Sequence, residues 1–171
     1  MEIRPAIEQD IEQITSVAMD SWEADYAEDI LTSDTAENAA TDWYAPNQIS
    51  AELNQEQTTL LIAERERTVV GFAHATWSTE TGDGYILRLY VHPDYRRDGV
   101  GRALLDQTCQ TLARHSIERI NAMVLSANDP GVAFYEGFGF EFVDEHETQV
   151  GDETVPESRY VLDAAVVSDE S

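Results

Sequence analysis

The sequence contains no lysine, a single cysteine and no apolar run approaching the ~18 residues needed to cross a bilayer. Its ten basic residues are all arginines and face 34 aspartates and glutamates, so the formal net charge is −24 at pH 7. A surface of this sign repels nucleic acids and anionic membranes, and we expect neither as a partner. The lone Cys109 cannot form an internal disulfide and is predicted to be a small buried residue of a helix.

The acidic excess also indicates the solvent in which the protein works. Repulsion among so many like charges destabilises a folded chain at ordinary ionic strength, whereas near 1 M salt the Debye length falls to about 3 Å. We therefore infer a salt-accumulating host, a halophilic archaeon, rather than a mesophile with an acidic protein. The N-terminus, Met1-Glu2-Ile3-Arg4-Pro5, lacks the apolar run of a signal peptide, so the expected location is cytoplasmic.

The length of 171 residues corresponds to one domain with a substantial core. We predict that this domain spans residues 1–163 and that residues 164–171 form a flexible acidic tail. Residue patterns predict strands at 3–6, 59–64, 69–78, 85–91, 117–126, 140–150 and 158–162, and helices that begin near 10, 49, 100 and 129. Asp10 is expected to cap the first helix, with Gln13 completing the motif. This order of elements indicates an α+β domain with a mixed sheet.

The most informative segment runs from the strand at 89–91 into the helix that starts near Gly99. The first N–H groups of a helix have no intrahelical acceptor and carry the positive end of its dipole, so a phosphate can bind there. Glycines at 99 and 101 leave room for a diphosphate to approach the backbone. The spacing excludes a Walker loop, which needs Gly-Lys-Ser/Thr, and a Rossmann loop, whose third glycine is here Leu104. An anionic ligand is also favoured by three nearby arginines, Arg96, Arg97 and Arg102.

A second segment combines a strand, a short helix and an aromatic pair, and ends in Gly-Phe-Gly-Phe. Asn128 or Asp129 can cap this helix, and Gly137 is expected to end it. Phe134 and Tyr135 are adjacent, so we expect one ring to face the core and the other a cleft.

Together the two segments resemble the GCN5-related N-acetyltransferase (GNAT) superfamily. The coenzyme A loop of that family follows the pattern Gln/Arg-x-x-Gly-x-Gly/Ala, which the segment from Arg96 to Gly101 matches. The resemblance implies the GNAT fold, a mixed and mostly antiparallel central sheet flanked by helices, with two parallel strands that splay apart at the cofactor site. It also implies an enzyme that moves the acetyl group of acetyl-CoA to a primary amine by direct attack.

The resemblance assigns cofactor contacts by position. The backbone of Leu89 and Val91 would pair with the pantetheine arm, the loop amides after Arg96 would hold the diphosphate, and Asn128 would contact the arm. The full set implied is Leu89, Tyr90, Val91, Arg96, Arg97, Asp98, Gly99, Val100, Gly101, Arg102, Asn128 and Tyr135. A carboxylate repels a diphosphate, so Asp98 is expected to point outward and to complement the helix dipole.

The resemblance implies that Tyr135 is the general acid for the leaving thiolate. Several relatives carry a glutamate base where this chain has Met123, so the base is left open between His74, Glu80 and a chain of water molecules. The absence of that glutamate at Met123 also motivates an alternative function, a non-catalytic domain that senses acyl-CoA.

The acceptor is predicted to lie against the aromatic stretch Ser21-Trp22-Glu23-Ala24-Asp25-Tyr26, with Trp22 and Tyr26 as its contacts. The substrate loops of the family vary most in this region, so a small-molecule amine and a peptide or protein N-terminus both remain open. A homodimer is consistent with the family. No metal site is predicted.

Overall fold

One sheet of seven strands, in the part of the chain that the structure describes, positions the candidate site. The structure is a computed structural model and describes residues 1–26, 51, 55–96, 99–150 and 153–165. In chain order its elements are β1 (Glu2–Pro5), α1 (Ile11–Tyr26), β2 (Thr58–Arg65), β3 (Thr68–Ser78), β4 (Asp83–Val91), α2 (Val100–Ala113), β5 (Arg119–Leu125), α3 (Asp129–Phe138), β6 (Glu141–Val150) and β7 (Glu153–Asp163). Short 3-10 turns precede α1, at Glu8–Asp10, and α2, at Pro93–Tyr95.

The strands lie in the order β1-β2-β3-β4-β5-β7-β6. Among these strands, every neighbouring pair is antiparallel except β4 and β5, which are parallel and connected through α2. Parallel neighbours need a crossover connection, which the helix supplies. The α+β class and the mixed, mostly antiparallel sheet are therefore confirmed.

The two parallel strands separate partway along their length. They pair over four positions, from Asp83 opposite Arg119 to Ile86 opposite Ala122. β4 then continues to Val91, and beyond Ile86 the edge that it turns toward β5 has no strand partner among the described residues. We call this opening the β4–β5 gap. It corresponds to the splayed strands that the resemblance implied.

A bulge in β4 coincides with the start of the gap. His74 of β3 lies opposite Arg88, whereas the next residue, Ala75, lies opposite Ile86. Leu87 is therefore an extra residue in β4. Because a bulge bends its strand and interrupts the ladder, it explains why β4 leaves β5 at this point.

Alternate side chains of the sheet pack against helices on opposite faces. Phe72 of β3 packs with Ile14 and Val17 of α1, on what we call the α1 face. The next residue, Ala73, belongs to a cluster with Leu104 of α2, on the α2 face. The residues of both helices that face the sheet recur at helical spacing and are buried: Ile11, Ile14, Val17, Ala18, Val100, Leu104, Leu105, Thr108 and Leu112. Cys109 is also buried, as predicted.

The start of α1 differs from the predicted capping motif. Asp10 directly precedes the helix, but its carboxylate accepts hydrogen bonds from Arg4 and from the N–H of Ile7. Gln13 uses its side-chain oxygen to accept the N–H of Val69 on β3, at 3.0 Å. Asp10 therefore caps the 3-10 turn before α1 and pairs with Arg4, and Gln13 joins α1 to β3, so the predicted capping motif of α1 is replaced by these contacts.

The end of α3 also differs from the prediction. The helix continues past Gly137 and is terminated by Gly139, whose φ of +123° favours glycine. After β7, Ala164 is buried and its N–H donates to the carbonyl of Glu118, so the described chain packs beyond residue 163. The predicted helix at 49–55 lies largely outside the described residues, as does the predicted tail from residue 166.

Candidate active site

The predicted phosphate loop, which is the segment from Arg96 to Arg102, includes the start of α2, as the sequence predicts. Gly99 precedes the helix with a φ of +83°, and its carbonyl accepts the N–H of Ala103. The N–H groups of Val100, Gly101 and Arg102 come before this first intrahelical bond and have no acceptor within the helix. Apart from its chain neighbours, a Cβ built on Gly99 would meet no atom of the described residues within 4 Å. The loop therefore presents backbone donors and the positive end of the helix dipole to open space.

Gly101 lies where three elements meet. A Cβ on this residue would approach the ring of Phe134 in α3 to 3.4 Å and the side chain of Val91 in β4 to 3.5 Å. The start of α2 thus lies beside the end of β4 and against α3. The start of α2, where the anion site is predicted, and the β4–β5 gap are therefore neighbours.

The loop arginines make separate contacts. The guanidinium Nε of Arg96 donates to the carbonyl of Val91 at 3.1 Å. The guanidinium carbon of Arg102 lies 5.3 Å from the ring centroid of Phe138, in cation–π geometry. Arg97 and Asp98 lie outside the described residues. Arg96 is therefore hydrogen-bonded to the last residue of β4, the strand that it follows.

The open edge of β4 presents backbone groups to the gap. The N–H of His92 donates to the carbonyl of Val70 on β3, at 2.8 Å. A trans peptide directs its N–H and C=O in opposite directions, so the carbonyl of Val91 points away from β3 and toward the gap. Strand alternation gives Leu89 the same orientation. Tyr90 has its ring on the α1 face, beside Phe72 at 5.7 Å.

Asn128 caps α3, as one of the two predicted alternatives. Its side-chain oxygen accepts the N–H of Gly131 at 3.1 Å. A Cβ on Gly131 would come within 2.6 Å of the Asn128 amide nitrogen, so this cap requires glycine three residues later. The requirement for Gly131 was not predicted, although the Asn-x-x-Gly spacing could have indicated it.

Tyr135 occupies the core side of α3. Its ring is about nine-tenths buried and packs edge to face against Phe134, at 5.3 Å, and Phe140, at 5.4 Å. Burial raises the pKa of the Tyr135 phenol well above 10, and the neighbouring Tyr90 and Cys109 add to the effect. The phenol is therefore protonated at neutral pH.

The two candidates for the general base, His74 and Glu80, lie at different distances from the bulge in β4. His74 is buried on β3, between Leu60 and Arg88 in register and beside the bulge. Glu80 is exposed in the turn before β4. It lies before Asp83, the first residue of β4, and Asp83 is itself about 13 Å from the bulge at Leu87, at 3.3 Å per residue. This placement favours His74 over Glu80. Trp22 and Tyr26 belong to the last turns of α1, but their side chains lie outside the described set.

A polar network lies where β4 and β5 are still paired, next to the β4–β5 gap, and it was not predicted. Asn121, a buried residue of β5, donates to the carbonyl of Gly84 on β4 at 3.0 Å and accepts from Arg159 of β7 at 3.0 Å. Arg159 also donates to Asp144 of β6, at 2.8 Å. The network therefore joins four strands below the point where β4 and β5 separate. The sequence signal for it was Asn121, the one polar residue in the run from Ile120 to Leu125.

The described residues contain no group of three His, Cys, Asp or Glu side chains that could hold a metal ion. Within the same part of the chain, none of the helices has the length and apolar character needed to span a bilayer.

Comparison with known proteins identifies relatives over most of the chain. The sequence model of the Acetyltransferase (GNAT) family matches residues 14–140. An acetyltransferase of Yersinia pestis (strain Pestoides F) is 32% identical over 103 residues, which cover 60% of this chain and 72% of that protein. The spermidine N(1)-acetyltransferase of Thermoplasma acidophilum is 27% identical over 148 residues, which cover 84% and 90% of the two chains.

A solved structure supports the same fold. The PaiA N-acetyltransferase of Thermoplasma acidophilum, crystallised with coenzyme A, is similar with a TM-score of 0.83 and 24% identity, over 95% of this chain and 98% of that one. The family match includes both the phosphate loop and the segment that contains Asn128 and Tyr135. The chain therefore belongs to the GNAT family of acetyltransferases, enzymes that take the acetyl group from acetyl-CoA.

Proposed function

We propose that this protein is an N-acetyltransferase that transfers the acetyl group of acetyl-CoA to a primary amine by direct attack. The observation that carries the proposal is the position of the β4–β5 gap beside the phosphate loop. The loop offers free helix N–H groups for a diphosphate, and the adjacent edge of β4 offers backbone groups for the pantetheine arm. The acyl end of such a ligand lies near the bulge at Leu87.

The donor side of this site uses the residues that the sequence predicted. The amides from Gly99 to Arg102 hold the diphosphate, with Arg96 as an additional cation. Leu89 and Val91 pair with the arm, while Asn128 contacts it from α3. Arg97 and Asp98 remain predictions for the same loop.

Acetyl-CoA supplies the thioester carbon that the amine attacks. A new C–N bond forms and the C–S bond breaks, so one proton must leave the amine and one must reach the sulfur. Backbone N–H groups on the open edge of β4 stabilise the negative charge that develops on the carbonyl oxygen. Tyr135 donates a proton to the leaving sulfur. His74, or water next to it, accepts the proton of the amine.

The acceptor is a primary amine, either a small molecule or a peptide or protein N-terminus. A polyamine is the first small molecule to test, since a relative similar over 84% of this chain is a spermidine N(1)-acetyltransferase. Trp22 and Tyr26 at the end of α1 are the proposed acceptor contacts. The proposed setting is the salt-rich cytoplasm of a halophilic archaeon, on the basis of the net charge of −24 and the absence of lysine.

Calorimetric titration of acetyl-CoA in molar potassium chloride, followed by a thiol-release screen over polyamines, small amines and peptides, tests the proposal. The buried Cys109 thiol, whose pKa burial raises to about 12, contributes little background to such an assay. Because the chain has no lysine, self-acetylation is restricted to its N-terminus. Binding without thiol release from any amine would contradict the transfer reaction.

A pair of variants tests the location of the site. Gly101→Glu introduces a bulky carboxylate at the start of α2, next to the proposed diphosphate position, and should abolish binding. Gly137→Glu introduces the same side chain into open space on α3 and should bind normally. Equal binding by both variants would show that the phosphate loop is elsewhere.

A further inference from the structure

Helix α1 is bonded to the end of β4 through two neighbouring residues. Ser21 has a fully buried side chain, and its hydroxyl donates to the carbonyl of Val91 at 3.1 Å. Asp20 lies beside it, with a carboxylate oxygen 3.0 Å from Nε2 of His92. These residues are about 70 positions apart in the sequence, so only the tertiary fold brings α1 to the start of the phosphate loop.

The Val91 carbonyl lies on the edge of β4 that faces the gap. It points away from β3, because the N–H of the same peptide group, that of His92, is bonded to Val70. This oxygen also accepts a hydrogen bond from Nε of Arg96, at 3.1 Å. A carbonyl has two lone pairs, and Ser21 and Arg96 occupy both.

The shared acceptor has a consequence for ligand binding. Because Ser21 and Arg96 occupy both lone pairs of its carbonyl oxygen, Val91 can bond a pantetheine arm only through its N–H. The hydroxyl from α1 and the guanidinium from the loop also fix where the strand ends and the loop begins. A shift of this oxygen would move Arg96 and the glycine turn that follows it.

We propose that Ser21 is a positioning residue for acetyl-CoA. Through the Val91 carbonyl it holds the end of β4 and the phosphate loop in the geometry that accepts the cofactor. This inference rests on the proposed cofactor site at the β4–β5 gap. Ser21 itself is not a catalytic residue, because its hydroxyl is bonded to the strand and not to the reacting atoms.

Ser21→Ala removes one of the two donors and leaves the Val91 carbonyl with Arg96. A neutral hydrogen bond of ordinary strength corresponds to about a five- to tenfold change in an equilibrium constant. We expect the Kd and KM for acetyl-CoA to rise by about this factor. The kcat at saturating acetyl-CoA and the pH profile should be unchanged. Ser21→Cys, which retains a weak donor, should give an intermediate Kd and serves as the test protein if the alanine variant does not fold.

Gln13→Ala is the matched control. It also removes a hydrogen bond from an α1 side chain to the sheet, but the partner is the N–H of Val69 at the start of β3. Both variants should unfold more easily than the wild type, whereas only Ser21→Ala should bind acetyl-CoA more weakly in calorimetry. Wild-type affinity in Ser21→Ala, or an equal loss in Gln13→Ala, would overturn the positioning role. Absence of binding to the wild-type protein would instead overturn the proposed function.

Discussion

The carboxylate of Asp10 accepts two hydrogen bonds from the guanidinium of Arg4, at 2.8 and 3.0 Å. Arg4 also bonds Glu64 of β2, at 2.9 Å, so this cluster joins the first strand, the turn before α1 and the second strand. Burial on its own would raise the pKa of Asp10. The hydrogen bonds from Arg4 and the Ile7 N–H outweigh it and hold the pKa below its ordinary value of 3.8.

The first prediction concerns this carboxylate. Because the pKa of Asp10 is lower in the folded chain, the group contributes stability above pH 3.8 that is lost as the pH falls through the folded value. Asp10→Asn should lower the free energy of unfolding by about 2 kcal/mol at pH 7. The variant should also lose less stability than the wild type on acidification. Urea unfolding at constant salt measures both effects, and the exposed Glu2→Gln is the control, with a change of less than about 0.5 kcal/mol.

The second prediction compares alanine substitutions at two glycines, Gly99 and Gly137, at both of which a Cβ would have open space around it. Gly99→Ala should destabilise the protein by about 1–2 kcal/mol, because an L-residue is strained at a φ of +83°. Its Cβ also enters the space in front of the helix, so the affinity for acetyl-CoA should fall. Gly137→Ala, inside α3, should be more stable than the wild type by about 0.5–1 kcal/mol. Thermal unfolding and calorimetric titration check the pair, and normal cofactor binding by Gly99→Ala would contradict the assigned loop.

The third prediction concerns the acid. Tyr135→Phe should lower kcat by about 100-fold while the Kd for acetyl-CoA is retained. Because the pKa of Tyr135 is raised by burial, its deprotonation should not limit the rate at alkaline pH. The control Tyr160→Phe changes another buried tyrosine, on β7, and should leave the rate unaltered. An unchanged kcat in the Tyr135 variant would exclude this residue as the acid.

The fourth prediction follows from the net charge. The melting temperature should rise between 0.1 and about 2 M potassium chloride, because added salt screens the repulsion within a chain of net charge −24. Differential scanning calorimetry at several salt concentrations measures the change. A melting temperature that is independent of salt would contradict the inferred halophilic origin.

Local segments of the site could be predicted from the sequence because their constraints are local. Helix dipoles, the left-handed turn at Gly99 and the cap at Asn128 each depend on residues within a few positions of one another. The succession of strands and helices along the chain and the α+β class follow from alternating patterns and one crossover helix. The capping role of Gln13 and the stop at Gly137 were wrong. Gln13 instead bonds β3, which is a tertiary contact, and α3 ends at the second of two closely spaced glycines, Gly139.

The sequence by itself therefore determined the helix that starts after Gly99, the short capped helix with Tyr135, and the family. Only the tertiary structure decided where β4 leaves β5, that Asn121 and Arg159 close the end of the gap, and that Ser21 bonds the Val91 carbonyl. The physical reason is sequence separation. The pairs Arg159–Asn121 and Ser21–Val91 lie 38 and 70 residues apart, and no local pattern specifies which distant polar groups meet once the chain folds.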